Sequence, residues 1–504
     1  MSSQNPSAPV NLEQQRKLAK ELIRAARAGD RGALARLQAV RTDIGDPSRP
    51  LRLADAQLAI ARESGFDSWS KLVAHIRQRD RKAFHDAVNN DAVADARQLL
   101  ALAHVRDQIN APVFSFGRRA AHIAAKNVDM LDVLIAAGAD VNLRSDWQKG
   151  PYAVLDDATE HTARFLIARG ATLTANVAAR LGWFDELQRL IHDDPALVHA
   201  RGGDGQQPLH EAKTAEIADF LLDHDAHVDT PCIDHKSTPA QYALAERPDV
   251  CRRLLERGAT PDIYMPARLG DLVLATRLLD ADPTAAATRV NEPGYAPVPP
   301  FNIYCWTLGF GLSPHDVALR FGQRDVYELL VARSSARVRF VNATMAADER
   351  AARALLGADA SLMSSLTPAD HGRLAYAVIG GHDRAAELML RLGFDETAPG
   401  QDGGTALHAA CWVGNARMVE TLLARGRVPL ETRDPMHRST PLGWAAHGSV
   451  HRRARDADYV AVVDRLVAAG ADVQAPGNGA KASLLSMAAG NSAVEDALRR
   501  HGAT

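Results

Sequence analysis

Residues that could bind or transform a ligand concentrate in one short stretch, residues 299–316 (PPFNIYCWTLGFGLSPHD). Aromatic residues make up only 5% of the whole chain, yet this stretch contains four of them. Its main candidates for chemistry are Tyr304, Trp306, His315 and Asp316. A histidine beside an aspartate can act in general acid–base catalysis, with a tyrosine assisting the proton transfer. Aromatic side chains can equally well anchor a bound protein.

A covalent or cofactor-dependent reaction has less support in the sequence. Cys305 offers a thiol, but the neighbouring aromatic side chains would raise its pKa and keep it protonated. We find no nucleophile elbow, phosphate-binding loop or dinucleotide-binding fingerprint in the strand–helix context that each requires. Any reaction would therefore use acid–base chemistry without a cofactor.

The composition limits the class of partner and the compartment. The chain has 504 residues, and 59 Lys and Arg nearly balance 61 Asp and Glu. Because nucleic-acid-binding proteins carry a basic surplus, we expect no nucleic-acid partner. No apolar run approaches the ~18 residues of a membrane span, and the N-terminus lacks the apolar core of a signal peptide. Four scattered cysteines without CxxC pairing are typical of a reducing compartment, so we expect a soluble, cytoplasmic protein without membrane contact.

The elements that would position these residues recur along the chain. Similar segments end several predicted helices: LIAAGADVN at Asn142, LLERGATPD at Asp262 and LVAAGADVQ at Gln474. Neighbouring copies lie about 33 residues apart, a period typical of stacked repeat proteins. We predict a continuous stack in which no repeat has a core of its own.

Each period contains the signals of two short helices. The first helix opens with Ser or Thr before proline, as in STPAQYAL from Ser237 and STPLGWAA from Ser439. The second helix carries Leu, Val and Ile at helical spacing, as in ARMVETLLARG, and a glycine then ends it.

The first-helix segments resemble the T-P-L-H-x-A signature of the ankyrin repeat. The best copies are QPLHEA (207–212), TALHAA (405–410) and TPLGWAA (440–446). The resemblance covers roughly four-fifths of the chain, residues 82–504, and some repeats depart from the template. It implies an all-α fold, an ankyrin-repeat α-solenoid of stacked helix-turn-helix units with irregular repeats. The same repeat serves many tasks, so it says little about function.

We predict three regions on this basis. Residues 1–80 form a disordered tail (1–11) and a helical N-terminal cap, which resembles a helical preface of some bacterial ankyrin-repeat proteins. Residues 81–334 form ankyrin repeats with an aromatic loop insertion at about 291–312. Residues 335–504 form further repeats and a C-terminal cap. The insertion is proline-stiffened and rich in β-formers, so we expect an extended segment or hairpin that covers the concave groove.

The resemblance also places polar side chains. His122, His210 and His408 hold the fourth signature position, where we expect the ring to tie its turn to the neighbouring repeat. Gln241 takes that position in its own repeat and should form a similar bond. Asp234 and His235 lie at the tip of a finger, the loop between consecutive repeats, where they are either ligand-binding or solvated turn residues.

A second candidate group follows the paired alanines of the late repeats. Trp412, Trp444 and His447 should face the concave groove and, with Trp306, anchor a partner. His447 and His451 lie four residues apart, but Gly448 should end the helix and make the rings diverge, so we predict no metal site. The polar run HRRARDAD (451–458) is expected to be a solvated loop.

Two functions remain open. The first is recognition of a protein partner across the concave face. The alternative is a small-molecule enzyme, a lyase, isomerase or hydrolase whose pocket is roofed by the insertion. Its candidate catalytic residues are His315, Asp316, Tyr304, His235 and Asp234. The sequence leaves the partner, the substrate and the oligomeric state open.

Overall fold

The computed structural model describes residues 11–41, 43, 50–452 and 457–504. Within those residues the chain forms 30 α-helices and no β-strand, which confirms the all-α expectation. It divides into two compact units, residues 1–208 and residues 209–504. This division differs from the regions expected from the sequence, which placed boundaries after residues 80 and 334. None of the helices in the described ranges is both long enough and apolar enough to cross a membrane.

The helices of the first unit are α1 (Leu12–Arg27), α2 (Arg31–Gln38), α3 (Leu53–Glu63), α4 (Trp69–Asn89), α5 (Val93–Leu100), α6 (Ala103–Arg106), α7 (Ala120–Ile123), α8 (Val128–Ala136), α9 (Glu160–Ile167), α10 (Ala175–Leu181) and α11 (Phe184–Asp193).

The first repeats of the second unit contain α12 (Pro208–Glu211), α13 (Ala215–Asp223), α14 (Pro239–Ala243), α15 (Pro248–Glu256), α16 (Tyr264–Leu269), α17 (Leu272–Ala281), α18 (Tyr304–Thr307), α19 (Pro314–Arg320), α20 (Arg324–Arg333), α21 (Ala336–Met345) and α22 (Glu349–Ala358). Its last repeats contain α23 (Pro368–Ile379), α24 (Asp383–Leu392), α25 (Ala406–Trp412), α26 (Ala416–Arg425), α27 (Pro441–His451), α28 (Tyr459–Ala468), α29 (Leu484–Met487) and α30 (Ser492–Arg500).

The pair α25–α26 shows how the sequence signals make one repeat. The Asn415 side chain accepts a hydrogen bond from the backbone N–H of Met418 and so caps α26. Met418 and Leu422 are buried on one side of the helix, and each such side chain stabilises the fold by about 1.5–3 kcal/mol. The helix ends at Gly426, whose φ of 66° lies in the left-handed region.

Successive pairs stack in two rows. In the last four repeats the first helices α23, α25, α27 and α29 contact one another in order, and so do the second helices α26, α28 and α30. One hydrophobic cluster runs through these repeats, from Phe340 to Leu498. The pairs therefore share a core, as the repeat pattern predicts, because each pair buries its apolar face against its neighbours.

Histidines at the signature position join neighbouring repeats. His408 accepts a hydrogen bond from the backbone of its own turn at Nδ1 and donates from Nε2 to the carbonyl oxygen of Ser439 in the next repeat. His122 donates in the same way to Tyr152, and His210 to Ser237. The structural role predicted for the three histidines is confirmed.

The N-terminal cap is helical, but it does not end at residue 80. A hydrophobic cluster joins α1, α2, α3 and the start of α4, with Leu22 and Ile76 among its buried members. Helix α4 continues unbroken through residue 80 and then packs against α5, so it belongs to both the cap and the first repeat. Of the predicted tail (1–11), residues 1–10 lie outside the described residues, and Asn11 caps α1.

The insertion is not the extended segment or hairpin expected from its sequence. Its aromatic part forms the short helix α18, because the Asn302 side chain accepts a hydrogen bond from the backbone N–H of Tyr304. Ile303, Tyr304, Cys305 and Leu308 are buried against the repeats, whereas Trp306 remains 55% exposed. Helical spacing, rather than alternation, decides which side chains point outward.

Several side-chain hydrogen bonds fasten the insertion to the stack. The Tyr304 hydroxyl donates to the buried carboxylate of Asp262 at 3.0 Å. The Gln241 amide donates to Asp262 at 3.0 Å and accepts from Asn302 at 3.0 Å. The Ser237 hydroxyl oxygen accepts from the backbone of the insertion at 2.9 Å. The role predicted for Gln241 is confirmed, and these buried polar groups are paired, as stability requires.

Candidate functional site

The candidate site is a cavity of about 320 Å³ in the second unit, between the first helices and the fingers of the last repeats. Trp412 from α25, together with Trp444 and His447 from α27, lies in its wall. The full lining is Ile379, Gln401, Asp402, Trp412, His437, Ser439, Trp444, His447, Asn478 and Met487. Three of the four predicted anchor residues therefore meet in one place.

The three aromatic rings form an angled wall. The ring centroids of Trp412 and Trp444 are 6.2 Å apart at an interplanar angle of 76°. The His447 ring lies 5.7 Å from Trp412 and is tilted by 33°. Because Trp412 is the last residue of α25 and is partly exposed, it presents an aromatic surface to the cavity.

Trp444 is mainly a support for this wall. It is only 6% exposed, and its indole Nε1–H donates to the buried carboxylate of Asp434 at 2.9 Å. Asp434 also accepts from the backbone of Ser439, which fixes the finger beside the cavity. Gly404 packs so closely on the ring that an added Cβ would lie 2.7 Å from it. The orientation of Trp444 is therefore set before any ligand arrives.

Helix α27 corrects the prediction for His447 and His451. The helix continues through Gly448 to His451, and the two rings lie 4.1 Å apart with a tilt of 46° instead of diverging. Glycine is required at position 448 because a Cβ there would lie 2.5 Å from the carbonyl oxygen of Trp412. His447 is exposed, but partial desolvation by its neighbours lowers its pKa, and the nearby His451 lowers it further. Half of the predicted solvated loop (451–458), residues 453–456, lies outside the described residues.

A second cavity adjoins the first. It encloses about 760 Å³ and shares Ile379 and Gln401 with the first cavity. Leu308 and Phe310 of the insertion line it, so the insertion forms part of the groove wall, and three arginines lie among its lining residues: Arg320, Arg373 and Arg452. We call the two cavities together the aromatic groove.

The family assignment agrees with this geometry. The family model for the ankyrin repeat matches residues 402–435, which span the pair α25–α26 and the finger that holds Asp434. This segment of the chain is an ankyrin repeat. The matched segment contains Asp402 and Trp412 of the aromatic groove. A comparison with curated protein sequences finds no match.

A buried ion pair supports the groove wall. Arg373 is buried and pairs with Asp316 at 2.9 Å, and it also donates to the backbone carbonyl of Gly311 in the insertion. Asp316 accepts from Ser313 as well, in a capping box at the start of α19. Burial raises the pKa of Asp316, but Arg373 and the Ser313 hydrogen bonds outweigh it and hold the pKa below its ordinary value. Asp316 is thus an ionised structural partner of Arg373.

His315 takes a different hydrogen-bond partner from Asp316. The His315 Nε2 lies 3.0 Å from the Ser334 hydroxyl, and its ring contacts Tyr327 edge-on at 6.1 Å. Burial lowers its pKa to about 4, so the ring is neutral at pH 7. The described hydrogen bonds of His315 and Asp316 thus go to other residues, and the charge of Asp316 still raises the pKa of His315 in part.

Tyr304 likewise forms a hydrogen bond in the interior of the protein. Its hydroxyl is buried on Asp262, and burial raises the pKa of Asp262 to about 6. Cys305 is buried too, and burial raises the pKa of its thiol to about 12, which keeps the thiol protonated. Both side chains are therefore buried where the insertion packs on the repeats.

Trp306 lies with the finger residues rather than in the first cavity. Its ring stacks on His235 at 4.3 Å and meets Phe310 of the groove wall edge-on at 5.9 Å. His235 Nδ1 also lies 3.2 Å from the carbonyl oxygen of Phe301, and its Nε2 is 3.9 Å from the Asp234 carboxylate. The structure thus groups Asp234, His235 and Trp306 together, apart from Tyr304 and His315.

Sequence reasoning missed the polar residues of the first cavity. Asp402 and Gln401 lie in the finger before α25, and Asn478 comes from the next-but-one finger. Asp434 was missed as well, because its partner Trp444 follows Gly443, which holds the signature histidine position in this repeat. The others are brought together only by the stacking of repeats.

Proposed function

We propose that this ankyrin-repeat protein binds an extended segment of a protein partner along the aromatic groove of its second unit. The observation that carries the proposal is the partly exposed Trp412, held beside Trp444 and His447 at the cavity of about 320 Å³. Tryptophan is enriched among residues that dominate binding energy, and such residues lie in well-packed pockets.

The surroundings of Trp412 support recognition over catalysis. The residues around Trp412 are held in place before binding. Trp444 donates a hydrogen bond to Asp434, and Gly448 packs against the Trp412 backbone. A preformed wall lowers the entropic cost of binding. The enzyme alternative loses support because Tyr304 and His315 are buried and occupied by other side chains.

We further propose that the protein acts in a reducing compartment such as the cytoplasm of a bacterial cell. The support is chemical: the four cysteines, Cys232, Cys251, Cys305 and Cys411, are all buried free thiols. Disulfides form and persist in oxidising compartments, so free thiols fit the cytoplasm.

The test is a peptide selection against the full chain. Peptides from a random phage-displayed library that bind the wild type are synthesised, and their affinities are measured by calorimetry. Trp412→Ala should weaken binding at least ~10-fold, because truncating a central aromatic anchor costs about 2 kcal/mol. His447→Ala, at an exposed groove position, should weaken it less.

The matched control is Trp147→Ala in the first unit. Trp147 is also partly buried and also packs edge-on against an aromatic ring, that of Phe116 at 4.9 Å. This control should leave affinity unchanged. Equal peptide affinity for the wild type, Trp412→Ala and His447→Ala, each shown to be folded by its thermal melt, would refute the proposed function.

A further inference from the structure

The first cavity of the aromatic groove has a lining suited to a positive charge. Asp402 is the one carboxylate among its described lining residues, and the rings of Trp412 and His447 line the same cavity. Aromatic faces attract cations through their quadrupole, and a nearby carboxylate adds a charged hydrogen-bond acceptor. His437, also in the lining, has its Nε2 3.6 Å from the Asp402 carboxylate. A cation from a partner would bind at the Asp402 carboxylate, next to His437.

The polar groups around Asp402 favour a planar cation with several donors. Gln401 and Asn478 bring amide groups to the same cavity, so the lining holds amide acceptors in addition to the carboxylate. A guanidinium donates in several fixed directions and stacks on aromatic faces, whereas an ammonium is a compact, strongly hydrated point charge. A volume of about 320 Å³ lies at the small end of ligand pockets and suits one long side chain.

The charged side chains that line the adjoining cavity are mainly positive. Arg320 and Arg452 line it and donate to the backbone carbonyls of Leu308 and Ile379. Arg373 is there paired with Asp316. A peptide that places a positive side chain in the first cavity therefore passes two arginines, which an acidic side chain complements.

We propose that the aromatic groove recognises an extended peptide in which an arginine enters the cavity of Trp412 and Asp402 while a nearby acidic residue faces Arg320 and Arg452. This inference rests on the proposed function and names the chemistry of its partner. In this inference the Asp402 carboxylate accepts hydrogen bonds from the arginine, and the guanidinium stacks on the ring of Trp412.

The test uses the peptides selected in the experiment above. Their shared motif should contain arginine with an aspartate or glutamate nearby. Replacing that arginine by citrulline, which keeps the shape and removes the charge, should lower affinity at least ~10-fold, since a charge-assisted hydrogen bond is lost. Asp402→Asn should cause a similar loss, and combining the two changes should add little, because both remove the same contact.

The protein-side variant has a matched control. Asp402 has a φ of 55°, and asparagine tolerates this left-handed conformation, so Asp402→Asn should fold. Asp204→Asn makes the same change at the matching position of a finger in the first unit, where φ is 54°. It should not alter peptide affinity. The citrulline peptide is tested against the wild-type protein, so its result does not depend on the folding of a variant.

The outcomes separate this inference from the proposed function. Peptides that depend on Trp412 but lack arginine, or that tolerate citrulline or Asp402→Asn, would overturn the arginine assignment and leave groove binding intact. Full affinity with lysine in place of arginine would overturn the preference for a guanidinium. A selection that yields no Trp412-dependent peptide would overturn both proposals.

Discussion

At the scale of single residues, the partner of a side chain decides its role. Histidine illustrates this within the second unit. His408 joins two repeats through backbone hydrogen bonds, His447 lies exposed in the aromatic groove, and His315 is buried as a neutral ring. The motif alone identified the first role, because a fixed position in the repeat fixes its neighbours.

His315 makes stability depend on pH. Burial lowers its pKa from 6.5 to about 4, so between these values the unfolded chain binds a proton that the folded chain does not. Its contribution to stability is therefore complete above pH 6.5 and is lost as the pH falls toward 4. At pH 5 the loss should be about 2 kcal/mol.

The measurement is urea unfolding at pH 7 and pH 5 for the wild type and His315→Leu. The variant should lose less stability between the two pH values than the wild type does, because it has no group to protonate at this position. An identical pH dependence in the two proteins would contradict the account of His315 as a buried neutral ring.

The sequence predicted some residue roles and missed others for a geometric reason. Adjacent residues on a helix point in directions about 100° apart, so the neighbours His315 and Asp316 reach Ser334 and Arg373 respectively. Their adjacency in the chain therefore carried no information about a shared site. Trp412 was placed in the groove because its position in the repeat determines its direction.

At the scale of elements, the insertion shows how local hydrogen bonds override a composition pattern. Its β-forming residues suggested an extended segment, yet the Asn302 side chain accepts from the Tyr304 N–H at the start of the short helix α18, and the Ser237 hydroxyl accepts from the N–H of Ile303. Gly311 of the insertion contacts the ring of Tyr376 so closely that a Cβ would lie 2.8 Å from it. The tertiary contacts that select the helix come from distant residues, which one sequence does not reveal.

The crossing of α25 and α27 depends on Gly448. An alanine in a helix interior is usually better than glycine by about 1 kcal/mol, but a Cβ at 448 would press on the Trp412 carbonyl at 2.5 Å. We expect Gly448→Ala to destabilise the protein by about 1–3 kcal/mol through overpacking and to weaken peptide binding by displacing Trp412.

The control for this prediction is Gly357→Ala in α22. Nothing lies within 4 Å of a Cβ at that position, so the same change should stabilise the protein slightly. Thermal melts of both variants give the comparison. A Gly448→Ala variant as stable as Gly357→Ala would show that the close crossing does not constrain the groove.

At the scale of the whole molecule, the fold could be predicted because similar segments recur in the sequence at a fixed spacing. Helix pairs about 33 residues apart gave the all-α repeat architecture and the inward-facing positions. The division into two units after residue 208 was not predicted, because helix signals continue on both sides of it. The polar lining of the cavity was not predicted either, since Asp402 and Asn478 meet only through stacking of the repeats.

The central claim is that the aromatic groove is the binding surface of the second unit. Hydrogen exchange of the full chain, with and without a selected peptide, tests it most directly, because bound segments open less often and exchange more slowly. We predict slower exchange in residues 399–415 and 434–451, which carry the cavity around Trp412. Slower exchange confined to segments outside the groove, with these two unchanged, would contradict the account.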